Sequence, residues 1–141
     1  MPTPGENRVA KNLLIIEDQD VLSESLSRRF TRRGFGVTIA AEPSEVLRVL
    51  GRGGIDLCIS DIDLTNGASG VELFGQVRAA GIDVPFLFLS GHDESSAAMQ
   101  SALGLGAAGV FTKPTDFAVL LGRVCEVLGV PAEAAPLTAS K

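Results

Sequence analysis

A chain of 141 residues, 45% hydrophobic and 21% charged, can bury one proper core but is too short for two full domains. Its net charge of −5 argues against a general nucleic-acid binder, which needs clustered Lys and Arg against phosphates. No apolar run approaches the roughly 20 residues of a membrane span. The N-terminal MPTPGENRVAK lacks the apolar region of a signal peptide, so a cytoplasmic location is expected.

Residues 1–10 are rich in Pro, Gly and polar side chains and read as a flexible segment. Asn12 to Ile16 (NLLII) is a short, fully apolar run, as expected of a strand buried on both faces. Residues 20–33 form a helix, with Val21, Leu22, Leu26 and Phe30 on one stripe and Gly34 at its end. Its basic side chains Arg28, Arg29, Arg32 and Arg33 read as a solvated helix face. Gly36 to Ala40 is a second strand, and Pro43 to Leu50 a helix begun by Pro43 and stopped by Gly51.

The alternation then repeats. Ile55 to Ser60 is strand and Gly70 to Ala80 helix; Val84 to Leu89 is strand and Asp93 to Leu105 helix. Ala108 to Thr112 is strand and Thr115 to Leu128 the last helix. The Pro/Ala-rich tail, residues 130–141, reads as disordered, leaving 11–129 as the folded domain. Cys58 and Cys125 lie inside apolar segments without CxxC spacing and read as buried thiols. Five strand–helix pairs make an α/β chain: a flavodoxin-like, doubly wound (βα)5 three-layer sandwich with a parallel sheet in the order 2-1-3-4-5.

In open parallel sheets, ligands bind outside the carboxyl ends of the strands. Glu17 and Asp18 come after the first strand, Asp61 after the third, Ser90 after the fourth and Lys113 after the fifth. The order 2-1-3-4-5 makes these four strands neighbours, so the groups gather on one rim. Three carboxylates at close range repel, and the expectation is a cation among them. Oxygen ligands with an unfilled shell suit Mg²⁺, or Mn²⁺ in its place. Lys113 adds a compact positive charge and Ser90 a hydroxyl. A carboxylate nucleophile, a divalent cation, a lysine and a hydroxyl are the parts for moving a phosphoryl group onto an aspartate. Each piece alone has an ordinary explanation as a helix cap or turn residue. The signal is their joint placement.

With these residues, Asn12 to Leu128 resembles a receiver domain of the two-component response-regulator family. The resemblance implies that Asp61 accepts a phosphoryl group from a histidine kinase or a histidine phosphotransfer protein. It implies that Glu17, Asp18, Asp61 and the backbone carbonyl of Asp63 hold Mg²⁺, and that Ser90 and Lys113 meet the phosphoryl group. It also implies a cis Lys113–Pro114 bond. Asp63 and His92 stand where family members tune phosphoryl lifetime. Asp63 is expected to do so, and His92, the single histidine, to be an exposed loop residue.

Two departures stand out. Many members carry Pro four residues after the phosphorylated Asp, where this chain has Thr65, and the loop up to Gly70 is one residue longer than the commonest spacing. The switch-aromatic position, normally Tyr or Phe, holds Val110. Strand alternation sends the adjacent Phe111 to the opposite face, into the core.

The main enzyme alternative is a haloacid-dehalogenase phosphatase, since Asp61 to Thr65 fits DxDxT. Such enzymes carry their acidic metal pair after the lysine, whereas here it comes first, as Glu17–Asp18. A calcium loop fails because its sixth position, Asn66, should be Gly. A flavin site fails because it needs a Ser/Thr/Gly-rich phosphate loop after the first strand. No effector domain is read in the residues after Leu128, so the expectation is a stand-alone receiver or one excised from a longer chain, with a protein contact as its output. Val119 and Val127 lie outside the last helix's core stripe of Phe117, Leu120, Leu121, Val124 and Leu128. They suggest a partner or homodimer interface on the face of the fourth helix, fifth strand and fifth helix.

Overall fold

The five apolar runs pair side by side into one parallel sheet, in the order β2-β1-β3-β4-β5. The computed structural model describes residues 11–63, 69–91 and 97–131. The strands are β1 (Asn12–Ile16), β2 (Gly36–Ala40), β3 (Leu57–Asp61), β4 (Phe86–Ser90) and β5 (Gly109–Thr112). Between and after them run α1 (Asp20–Arg32), α2 (Pro43–Arg52), α3 (Gly70–Ala79), α4 (Ala97–Gly104) and α5 (Phe117–Leu128).

Side-chain alternation divides the core in two. Leu14, Ile16, Cys58, Phe86 and Phe88 face one way and pack with α2, α3 and α4 through Val46, Phe74 and Met99. Leu13, Ile15, Leu57, Ile59, Leu87 and Leu89 face the other way and pack with α1 and α5 through Leu26, Phe30 and Leu120. Because both faces are covered, β3 and β4 are buried along their whole length. Cys58 and Cys125 are buried thiols outside any disulfide, as expected. No described helix is long and apolar enough to cross a membrane.

Several expected boundaries move, each for a local reason. Helix α2 runs through Gly51 to Arg52 and turns at Gly53, whose φ of 83° suits glycine. Strand β4 begins at Phe86, after Pro85, which has no N–H to give a ladder. Helix α5 begins at Phe117, because Asp116 rather than Thr115 caps it, accepting from the Ala118 amide at 2.8 Å. Val21 is not on the core stripe of α1; it is 84% exposed, and Ser23 is buried in that turn with its hydroxyl donating to the Asp20 carbonyl. Val127 packs half-buried against the α5-side core, while Val119 stays exposed. The N-terminal segment, most of the tail and residues 93–96 lie outside the described residues.

Phe74 stands at the centre of the α3-side core. Its ring centroid lies 4.7 Å from that of Phe86 and 5.6 Å from that of Phe88, and it is fully buried. Phe74→Ala is expected to cost about 3–5 kcal/mol by removing the ring and leaving a cavity. Urea denaturation against the unmodified chain measures it, and a loss under about 1 kcal/mol would show that the neighbouring rings collapse into the gap.

Candidate functional site

The carboxyl ends of β1, β3, β4 and β5 deliver their polar residues to one rim. Parallel pairing aligns Ile16 with Ser60, Asp61 with Leu89, and Ser90 with Thr112, so Glu17, Asp61, Ser90 and Lys113 arrive side by side. Glu17 is 3% exposed, Asp61 6%, and Ser90 fully buried. Lys113 is anchored by its own amide, which donates to the Ser90 carbonyl at 2.7 Å. The Lys113–Pro114 bond is cis.

The Lys113 ammonium lies 2.9 Å from Asp61 Oδ2 and 3.7 Å from Glu17 Oε1. Asp61 Oδ1 accepts from the Asp63 amide at 3.1 Å. Glu17 Oε2 accepts from the Gln19 amide, also at 3.1 Å. Asp18 lies next to Glu17 in the chain and is partly buried, and Asp63 is exposed. His92 and Thr65 lie outside the described residues.

One cation beside Glu17 and Asp61 is therefore a residue of the chain, Lys113. Among the described residues, no three His, Cys, Asp or Glu side chains converge into a ready-made metal cage. Lys113 already offsets part of the repulsion between Glu17 and Asp61. It does not offset all of it. Burial, then the Asp61 charge, push the Glu17 carboxyl up from an ordinary 4.5 to about 7, against the lowering pull of the Gln19 amide and Lys113. The rim remains short of positive charge, and its donors are all hard oxygens, which fits a divalent cation such as Mg²⁺.

This shift has a sign. Between pH 4.5 and about 7 the folded chain holds a proton on Glu17 that the unfolded chain has released. Stability contributed by that proton is complete below 4.5 and is lost as pH rises to about 7. The loss is on the order of 3 kcal/mol at most. Urea midpoints in chelator should fall from about pH 5 to about pH 7.5, and Glu17→Gln should flatten the fall. An equally steep fall in Glu17→Gln would place the titrating group elsewhere.

Two residues of the site carry no role in the sequence reading. A Cβ on Gly70, the first residue of α3, would collide with the Asp61 carbonyl oxygen and come within 2.9 Å of Ser60 Oγ. The Ser60 hydroxyl donates to that same carbonyl at 2.9 Å, and the Gly70 amide donates to Ile62 O at 2.7 Å. The helix start and the end of β3 are thus locked together behind Asp61. A glycine at the first helical position, where Pro or a carboxylate is common, was the available signal.

Val110 and Phe111 pack on opposite faces, Val110 towards the α3 side and Phe111 towards the α5 side. Val110 sits beside Phe88 in the sheet register. The described α4–β5–α5 region carries exposed apolar side chains at Leu103, Leu105 and Val119.

The model of the response regulator receiver domain matches residues 13–125. The chain is 30% identical over 112 residues to the transcriptional regulatory protein DltR of Streptococcus agalactiae, a match covering 79% of this chain and 49% of that protein. It therefore spans about half the length of that relative. Chemotaxis response regulator CheY4 of Vibrio cholerae superposes with a TM-score of 0.75 at 26% identity, covering 84% of this chain and 99% of that one. A response regulator from Burkholderia pseudomallei, solved with a phosphorylated aspartic acid, a calcium ion and citrate, superposes with a TM-score of 0.73 at 30% identity. That match covers 89% of this chain and 73% of that one. With the rim chemistry, the 2-1-3-4-5 sheet and a family match across nearly all of the described domain, this chain belongs to the response regulator receiver domain family.

Proposed function

We propose that Asp61 is the phosphoacceptor of a two-component signalling chain, receiving its phosphoryl group from a phosphohistidine on a histidine kinase or phosphotransfer protein. The observation that carries this reading is the buried Asp61 carboxylate at the end of β3, held 2.9 Å from Lys113. An Asp61 carboxylate oxygen attacks phosphorus, the P–N bond breaks, and its electron pair returns to the imidazole, which takes up a proton. Lys113 then balances the charge of the new acyl phosphate, and the Ser90 hydroxyl donates to it. Glu17, Asp18, Asp61 and the Asp63 carbonyl would hold Mg²⁺, or Mn²⁺. When bound, the ion neutralises phosphoryl oxygen charge. The phosphorylated aspartic acid and calcium ion of the Burkholderia pseudomallei protein support the same assignment by likeness.

Asp63, exposed and tied to Asp61 through its amide, is placed to influence phosphoryl lifetime. Output passes to a protein partner or a second copy through the α4–β5–α5 face, where Val119 is 56% exposed. With Val110 in place of an aromatic, the signal travels by Ser90 and Lys113 drawing on β4 and β5. The setting is cytoplasmic, and the domain is regulatory, catalysing only its own phosphoryl transfer and loss. Nothing favours the phosphatase reading, since the acidic residues that join Asp61 come from β1.

Incubation with Mg²⁺ and acetyl phosphate, then intact mass measurement, tests the assignment. One acid-stable, base-labile phosphoryl group is expected. Rapid turnover of phosphate esters with no adduct would restore the phosphatase.

A further inference from the structure

A cavity of about 450 Å³ opens between α1 and α5, lined in part by Lys113. Its volume is within the range of small-molecule sites. Leu26, Leu89, Phe117 and Leu120 give it an apolar wall, and Arg29 and Lys113 bring positive charge to it. Lys113 is committed to Asp61 and Glu17. Arg29 is not committed to an acid. Its guanidinium lies 5.4 Å over the Phe117 ring and makes no ion pair with any described residue.

That stacking matters for recognition. It holds an exposed cation over an apolar wall before any ligand arrives, which lowers the ordering cost of meeting an anion there. A sugar or free phosphate would leave the half-buried Leu22 and Phe117 uncovered. A neutral hydrocarbon would gain nothing from Arg29. An apolar chain ending in an anion satisfies both parts.

We propose that this cavity binds a small amphipathic carboxylate, with its apolar chain against Leu22 and Phe117 over the buried floor of Leu26 and its acid group at Arg29. The site adjoins the phosphoacceptor cluster and does not require Asp61 to be phosphorylated. Lys113 lines both, so an occupant would lie against the residue that holds Asp61.

Octanoate, octanol and octylamine, titrated separately into the full chain and monitored by amide chemical shifts and calorimetry, test this. Octanoate should shift the amides of Leu26, Phe117 and Leu120. It should bind about tenfold more tightly than octylamine, the factor expected of one charge-assisted hydrogen bond. Arg29→Gln should weaken octanoate about tenfold and leave octanol unchanged, and Arg29→Lys should recover part of the loss. The proposal is overturned if octanoate does not bind, if its shifts map to another surface, if octylamine binds equally well, or if Arg29→Gln leaves octanoate affinity unchanged.

Discussion

Asp61→Asn is expected to abolish the phosphoryl adduct, lowering its rate of formation by roughly three orders of magnitude or more. The amide keeps the volume of the side chain and removes the nucleophilic charge. The fold should survive the change. Asp61 is buried at the end of β3, but its ion-pair partner Lys113 is 27% exposed and can turn to Glu17, already 3.7 Å away. Removing the Asp61 charge also removes the second-largest cause of the raised Glu17 pKa, so Glu17 should ionise at lower pH in the variant. Intact mass after acetyl phosphate treatment reads the first effect, and carboxyl titration by NMR the second. An adduct forming at the unmodified rate in Asp61→Asn would move the phosphoacceptor to another residue.

Gly70→Ala should be the most damaging small substitution in the described chain. The new methyl would collide with the Asp61 carbonyl oxygen and crowd Ser60 Oγ. The first is a backbone atom at the end of a central strand and cannot swing aside. Relief requires α3 to move away from β3, breaking the 2.7 Å bond from the Gly70 amide to Ile62 O. The expected cost is about 3 kcal/mol, at the upper end for overpacking. Because the strain falls on Asp61 itself, phosphorylation should slow as well. Gly75, within the same helix, is the control. A Cβ there meets nothing within 4 Å, so Gly75→Ala should gain about 0.5–1 kcal/mol from helix propensity. Urea denaturation of both variants decides it. Equal, small effects at the two glycines would mean that the contact behind Asp61 is slack.

The order of elements is legible along the chain because the signals are local. Apolar runs such as NLLII and FLFL announce strands buried on both faces, and glycines and prolines punctuate them. Strict alternation then implies a parallel sheet. A parallel sheet places its chemistry just past the carboxyl end of each strand, and that rule alone picks out Glu17, Asp61, Ser90 and Lys113. The facing of their neighbours obeys strand alternation in the same way, including Val110 and Phe111 on opposite faces.

Distances between segments remote in sequence are not legible in this way. Lys113 lies 52 residues from Asp61, and only packing brings its ammonium within 2.9 Å. That contact sets a cation of the chain beside the two carboxylates, and Glu17 still stays short of charge. The same holds for Gly70 against the Asp61 carbonyl, and for Val21, whose helical spacing suited the core although it is 84% exposed. Periodicity fixes which face a side chain takes. Whether another segment waits on that face, and how near its charges come, is set by the assembled fold, where burial and Coulomb energy depend on through-space separation.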